Sequence, residues 1–169
     1  AFGYPESYYD KPLTKTLFSQ LAFDIADNGD FYVSFEADSL VYRYDHDYNQ
    51  LACFGFAGRD MDLNYLRWDS YDQPWKERLA ERMSRGFYNA VEYVDETGLL
   101  FRSYRKGGGS VTDGLQVYRD GVLVGDVDVP LGFRMAGYVE PYYSSYVVPD
   151  EEGERLYMFR FKWPSAPEE

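Results

Sequence analysis

Short runs of β-branched and aromatic residues, alternating with polar positions and ending at Gly, Asp or Asn, recur along most of the chain. Phe31-Tyr32-Val33-Ser34-Phe35 follows the turn Asp27-Asn28-Gly29-Asp30, and residues 40–44 and 51–54 repeat the pattern. Further runs lie at 90–94, 99–104, 115–118, 122–127, 134–139, 144–148 and 156–162. They predict strands, because branched and aromatic side chains suit a pleated surface. Asp120-Gly121 falls between two of these runs and predicts a type I′ hairpin, whose two central residues both need positive φ. Glu96-Thr97-Gly98 and Glu151-Glu152-Gly153 mark two more tight connections. One segment departs from the pattern. Residues 72–85 offer Asp72 as N-cap, an early Pro74, and Trp75, Leu79 and Met83 at i, i+4 and i+8, with Gly86 as a stop. This spacing predicts a helix of about three turns whose Trp and Met stripe packs against the sheets.

Three runs share an aliphatic–aromatic–Arg core: Val41-Tyr42-Arg43, Val117-Tyr118-Arg119 and Met158-Phe159-Arg160. Val117 and Met158 are 41 residues apart, and Val41 and Val117 are 76 apart. Removing a helical insertion of roughly 30 residues between Arg59 and Gly86 brings the second spacing to about 46. A period of about 40 to 50 residues with four strands per unit is the signature of a β-propeller blade. The last unit holds three strands, as expected where the missing outer strand of a closed ring comes from elsewhere. The expected fold is therefore all-β and propeller-like: about three four-stranded antiparallel blades, half of a six-bladed propeller, with one short helical insertion. Residues 1–20 form an N-terminal extension or blade-connecting segment. Residues 21–163 hold the blades, with the helix at about 72–85, and 164–169 form a tail. Since propellers close with about four to eight blades, the alternatives are half a ring, an open stack of sheets, or pairing with a copy of itself. Uncovered blade faces predict self-association.

Composition narrows the class. The chain has 169 residues, 45% hydrophobic and 20% aromatic, with a net charge of −12. A single domain of this size buries about 70% of its unfolded surface, enough for a core. The acidity argues against nucleic acid, which needs clustered Lys and Arg. No apolar run of about 18 residues occurs, so no transmembrane segment is expected. Cys53 is the only cysteine, which excludes an intrachain disulfide and a Cys-based zinc site. The one histidine, His46, sits in Asp45-His46-Asp47-Tyr48 and reads as a turn residue. No signal-like segment stands at the start of the chain; any such segment is expected to have been removed or to lie upstream.

The stretch Val33-Ser34-Phe35-Glu36-Ala37-Asp38-Ser39-Leu40-Val41-Tyr42-Arg43-Tyr44-Asp45 and the segment Phe54-Gly55-Phe56-Ala57-Gly58-Arg59 carry a resemblance. So do Phe101-Arg102-Ser103-Tyr104, Val124-Gly125-Asp126-Val127-Asp128-Val129-Pro130 and Gly137-Tyr138-Val139-Glu140-Pro141-Tyr142-Tyr143-Ser144. Together, over roughly residues 20–163, they resemble the C-terminal half of the TolB-like six-bladed propeller proteins of Bacteroides-type bacteria, a largely uncharacterised family. The resemblance implies a secreted or lipid-anchored protein of the cell envelope, periplasmic or at the outer membrane. It brings no functional residues with it.

Candidate chemistry is sparse. Lys106-Gly107-Gly108-Gly109-Ser110 has its Lys before the glycines and a strand after them. A phosphate loop needs Gly-Lys-Ser/Thr leading into a helix, so this reads as an interstrand loop. Asp126 and Asp128 alternate along one strand and share a face; they read as edge charges, with acid–base or cation chemistry as the rival. The acidic turns 27–30 and 59–62 lack a full calcium loop. With one histidine and no Gly-x-Ser-x-Gly turn, no nucleophilic triad is expected. Eighteen tyrosines are the unusual feature, since their rings suit sugar faces and protein partners. Tyr142 and Tyr143, expected in a connection, are the first surface candidates, with Arg59, Trp68 and Tyr71 as further ligand-binding candidates. No catalytic residue, metal ligand or cofactor is assigned. The expectation is a non-catalytic binding or scaffold module whose ligand is a protein partner or a glycan. The alternative is a carboxylate-dependent glycan hydrolase or lyase at the propeller mouth, which would need a carboxylate pair about 5–10 Å apart.

Overall fold

The computed structural model describes residues 20–65, 74–147 and 156–164. Within them the chain forms three antiparallel sheets and one helix. Sheet I runs β1 (Leu21–Ile25), β2 (Phe31–Phe35), β3 (Val41–Tyr44), β4 (Gln50–Phe54) in spatial order. Sheet II follows as β5 (Gly86–Val94), β6 (Leu99–Lys106), β7 (Thr112–Arg119), β8 (Val122–Pro130). Sheet III has three strands, β9 (Phe133–Val139), β10 (Tyr142–Val147) and β11 (Tyr157–Phe161). None of the three closes into a barrel. Strand β1 had no counterpart in the expected strands; its Leu21-Ala22-Phe23-Asp24-Ile25 alternation is only five residues long. The Asp120-Gly121 hairpin forms as expected, with φ of 50° and 77°.

Sheet II is the middle layer. On β6, Leu100, Arg102 and Tyr104 pair with Tyr118, Gln116 and Gly114 of β7 and face one side; Leu99, Phe101 and Ser103 face the other. The first side meets sheet I through Ala26, Tyr32, Val41, Val91, Leu100 and Tyr118. The second meets sheet III, where Phe101, Val117 and Leu115 pack on Phe133, Met135 and Tyr143. With both faces covered, β6 and β7 are buried almost throughout.

The three aliphatic–aromatic–Arg triplets occupy the third strand of each sheet: β3, β7 and β11. Val41 and Val117 each face the following sheet, while Tyr118 faces the preceding one. The first strands β1, β5 and β9 lie beside one another, β1 against β5 and β5 against β9. Side chains complete this junction. Asp24 on β1 accepts the backbone N–H of Tyr93 on β5 at 2.7 Å, and Asp95 accepts that of Asp27 at 3.1 Å.

Arg102, fully buried, is the polar pin between sheets I and II. Its Nε donates to Ser34 Oγ at 2.7 Å, Nη1 to the Ser39 carbonyl at 2.7 Å and Nη2 to the Asp38 carbonyl at 2.5 Å. Its guanidinium lies 3.2 Å from the Tyr88 ring centroid. A buried cation is tolerated when its donors are matched in this way.

Helix α1 (Trp75–Arg85) begins after Pro74, with no side-chain cap bond there; the expected cap, Asp72, lies outside the described residues. Gly86 follows at φ 84°, where a Cβ would strike the Arg105 carbonyl. The expected packing stripe is overturned. Trp75 is 63% exposed, and Leu79 and Met83 also face outward. The inward face is charged: Arg82 pairs with Glu36 and lies over the Phe87 ring, and Arg85 pairs with Asp62 and Glu81. The body offers carboxylates where the helix lands, so ion pairs rather than apolar contacts set its orientation.

Candidate functional site

Two polar clusters stand out, and they differ in how completely they are satisfied. The first surrounds the segment after β4, which is laid across sheet II by tyrosine hydroxyls. Tyr88 donates to the Phe56 carbonyl at 2.9 Å and accepts the Gly58 N–H at 2.9 Å. Tyr104 accepts the Arg59 N–H at 3.0 Å and donates to Asp126 Oδ1 at 2.7 Å. The Tyr104 ring is clasped between Gly58 and Gly114, where any Cβ would collide with it. Gln116 donates to the Phe56 carbonyl at 3.1 Å and accepts from Tyr118 at 2.9 Å.

Arg59, Asp126 and Asp128 meet in this cluster. Arg59 Nη2 donates to Asp128 Oδ1 at 2.8 Å, and Lys106 Nζ reaches the same oxygen at 2.8 Å and Asp60 at 3.2 Å. The Lys106 hydrogen bond, with Arg59 beside it, holds the Asp128 carboxyl below the usual carboxylate range. Burial and then the bond to Asp126 push the Tyr104 phenol upward. Asp126 and Asp128 sit on β8, the outer edge of sheet II, as expected; Asp126 is largely covered, while Asp128 stays half exposed and is paired with Arg59 and Lys106. A carboxylate so held is a poor proton acceptor.

The other sequence candidates separate. Glu140-Pro141 makes the turn, so Tyr142 and Tyr143 both belong to β10 and point to opposite faces. Tyr143 is 5% exposed, packed on Phe101, Tyr138 and Phe161. It is a core residue and leaves the candidate surface. Tyr142 is 40% exposed on the outer face of sheet III, with Arg160 and Lys162 at 5.7 and 5.2 Å from its ring centroid. Among the described residues, Arg59 and Tyr142 share no partner. Trp68 and Tyr71 lie outside the described residues. Cys53 is exposed on β4, not in a core. Among the described residues, no group of three His, Cys, Asp or Glu side chains is placed to hold a metal ion. No helix there is long and apolar enough to cross a membrane.

The second cluster is a groove of about 420 Å3 where the first strands of the three sheets meet. Its walls come from Leu21, Ala22 and Phe23 on β1, residues 89–92 on β5, Arg134 and Met135 on β9, and Tyr146 on β10. Asn89 is the bulged residue of β5, unpaired between Tyr88 and Ala90, and its Oδ1 is buried without a partner. β9 slips register against β10 between Ser144 and Ser145, just past Met135. Bulges of this kind re-aim side chains. Arg134 Nη1 is likewise buried and unpartnered, and burial lowers the guanidinium's hold on its proton. Glu92 is pushed up to about 7 by burial, with Asp24 adding to the shift. Sequence reasoning missed this groove because its residues come from four strands, one of them unread. The signal present was the charged residue inside the apolar stretch Phe133-Arg134-Met135.

No family model and no curated protein matches the chain. Among solved structures, a member of the DUF4221 family from Bacteroides vulgatus superposes with a TM-score of 0.57 at 10% identity. The match covers 83% of this chain and 44% of that one, so this chain spans less than half the neighbour's length. At this identity the likeness is one of fold.

Proposed function

We propose that the chain is a non-catalytic binding or scaffold module of the bacterial cell envelope, outside the cytoplasm, whose ligand is a protein partner or a glycan. Its three sheets are, in this reading, consecutive blades of a TolB-like six-bladed propeller, the other half coming from further chain or from a second copy. Matching triplet positions and the adjacent first strands support the blade reading. One observation carries the function: Asp126 and Asp128, the carboxylates that share a face of β8, are held by Arg59, Lys106 and Tyr104, whereas the groove at the junction keeps unpartnered polar atoms. Saturated groups hold a fold together, and polar side chains left unpartnered along a groove are where a ligand can be held.

Glycan and protein arrays probed with the wild type and with Tyr142→Ala test this. Binding is expected with the wild type, and loss in Tyr142→Ala would extend the ligand surface to the outer face of sheet III. Equal signals remove Tyr142 from it, and silence on both arrays overturns the module reading. A second reading, a glycan hydrolase or lyase, is favoured by Glu92, a carboxyl held up to about 7 beside Asp24. Release of reducing ends from a polysaccharide by the wild type but not by Glu92→Gln would establish it in place of the first.

A further inference from the structure

The groove at the junction of β1, β5 and β9 holds a cation that feels Asp113 at a distance but has no carboxylate in direct contact with it. Arg134 forms no ion pair among the described residues, in a chain whose net charge is −12. Arg82, already paired with Glu36, feels Arg134 as a like charge. A half-buried guanidinium that no carboxylate touches is costly unless an anion completes it. Beside it stands Asn89, presented by a bulge and also unpartnered. Apart from Glu92 and Tyr146, the remaining wall is apolar and aromatic, with Phe23, 57% exposed, beside Leu21, Val91 and Met135.

We infer that this groove binds a carboxylate-bearing sugar unit, a uronic acid, with Arg134 taking the carboxylate, Asn89 and Tyr146 the ring hydroxyls, and Phe23 the C–H face of the ring. The inference rests on the reading of the chain as a binding module and names its ligand class. A planar guanidinium fork matches a carboxylate in two parallel hydrogen bonds. A phosphate dianion fits less well, because one unpaired cation faces it and Glu92 stands in the same wall. An amide, a phenol and an open aromatic face together suit a polyhydroxylated ring better than an acidic peptide.

Calorimetric titration of the full chain with oligogalacturonate, a neutral cello-oligosaccharide and a polyglutamate peptide tests it. Oligogalacturonate is expected to bind, and the neutral sugar to bind much more weakly. Arg134→Ala should weaken the acidic sugar roughly tenfold or more, the loss of a charge-assisted pair. Asn89→Ala, a smaller change that keeps the test open if Arg134→Ala fails to fold, should weaken it roughly threefold. Equal affinity for acidic and neutral sugars, or unchanged affinity in Asn89→Ala, overturns the inference. Binding of polyglutamate alone overturns the sugar assignment and leaves the module reading standing. Failure of all three probes while the arrays report some other ligand sinks this inference only; silence on the arrays as well sinks both.

Discussion

Sheets II and III carry the same triplet in the same strand, yet its aliphatic residue meets opposite surroundings. Val117 of β7 is fully buried under sheet III, as Val41 of β3 is under sheet II. Met158 of β11, at the equivalent position, is 68% exposed, on the face that also carries Tyr142. Identical patterning with different burial teaches that the triplet encodes a place in a stack rather than a place in a core. What the core requires is the next sheet. Among the described residues, no sheet lies over Met158 as sheet II lies over Val41 and sheet III over Val117.

The largest expected effect lies in the middle layer. Arg102→Ala strips Ser34 and the carbonyls of residues 38–40 of their donor and leaves a void beside Tyr88. Urea unfolding should show a loss of about 3–5 kcal/mol. A loss under about 1 kcal/mol would mean that water replaces the guanidinium and that sheet II is not a sealed layer.

Next comes the pair that tests the comparison directly. Val117→Ala should cost about 2 kcal/mol from two lost methyl groups and the space they leave. Met158→Ala should stay within about 0.5 kcal/mol in a dilute monomer. Light scattering at micromolar concentration should show association of the wild type and its loss in Met158→Glu. A wild type that stays monomeric would leave the exposed face with no copy of this chain to cover it.

A pH-dependent effect is expected at the junction of the three sheets. Glu92 has a folded pKa of about 7 against an ordinary 4.5, so the folded chain holds its proton longer than the unfolded one. Wild-type stability therefore falls as pH rises from 4.5 to 7, through this group alone. Glu92→Gln should melt at the same temperature as the wild type at pH 4 and higher at pH 8. A crossover in the other sense would place Glu92 beside a cation.

Legibility followed the range of the interactions. Asp120-Gly121 and the triplets were readable because two-residue turns and repeated strands are written in adjacent residues. Tyr142 and Tyr143 read as one surface pair in the sequence, and the structure keeps only Tyr142 on the surface. A turn of only Glu140-Pro141 drew both into β10, where neighbours face opposite ways. The stripe of α1 carried a correct period and the wrong direction, because the period does not say that Glu36 and Asp62 wait beneath it. The groove was invisible for a related reason. Asn89 enters it only through a bulge, and Arg134 reads as an ordinary outward charge until β1 and β5 are brought beside it.

The outward-turned apolar side of α1 has a consequence for the order in which the molecule comes apart. A helix held mainly by Arg82 and Arg85 contributes almost nothing that grows with buried hydrocarbon. Its amides are therefore expected to trade hydrogen for deuterium through brief local lifting, weakened further by added salt, while those of β6 and β7 wait for the whole stack to open.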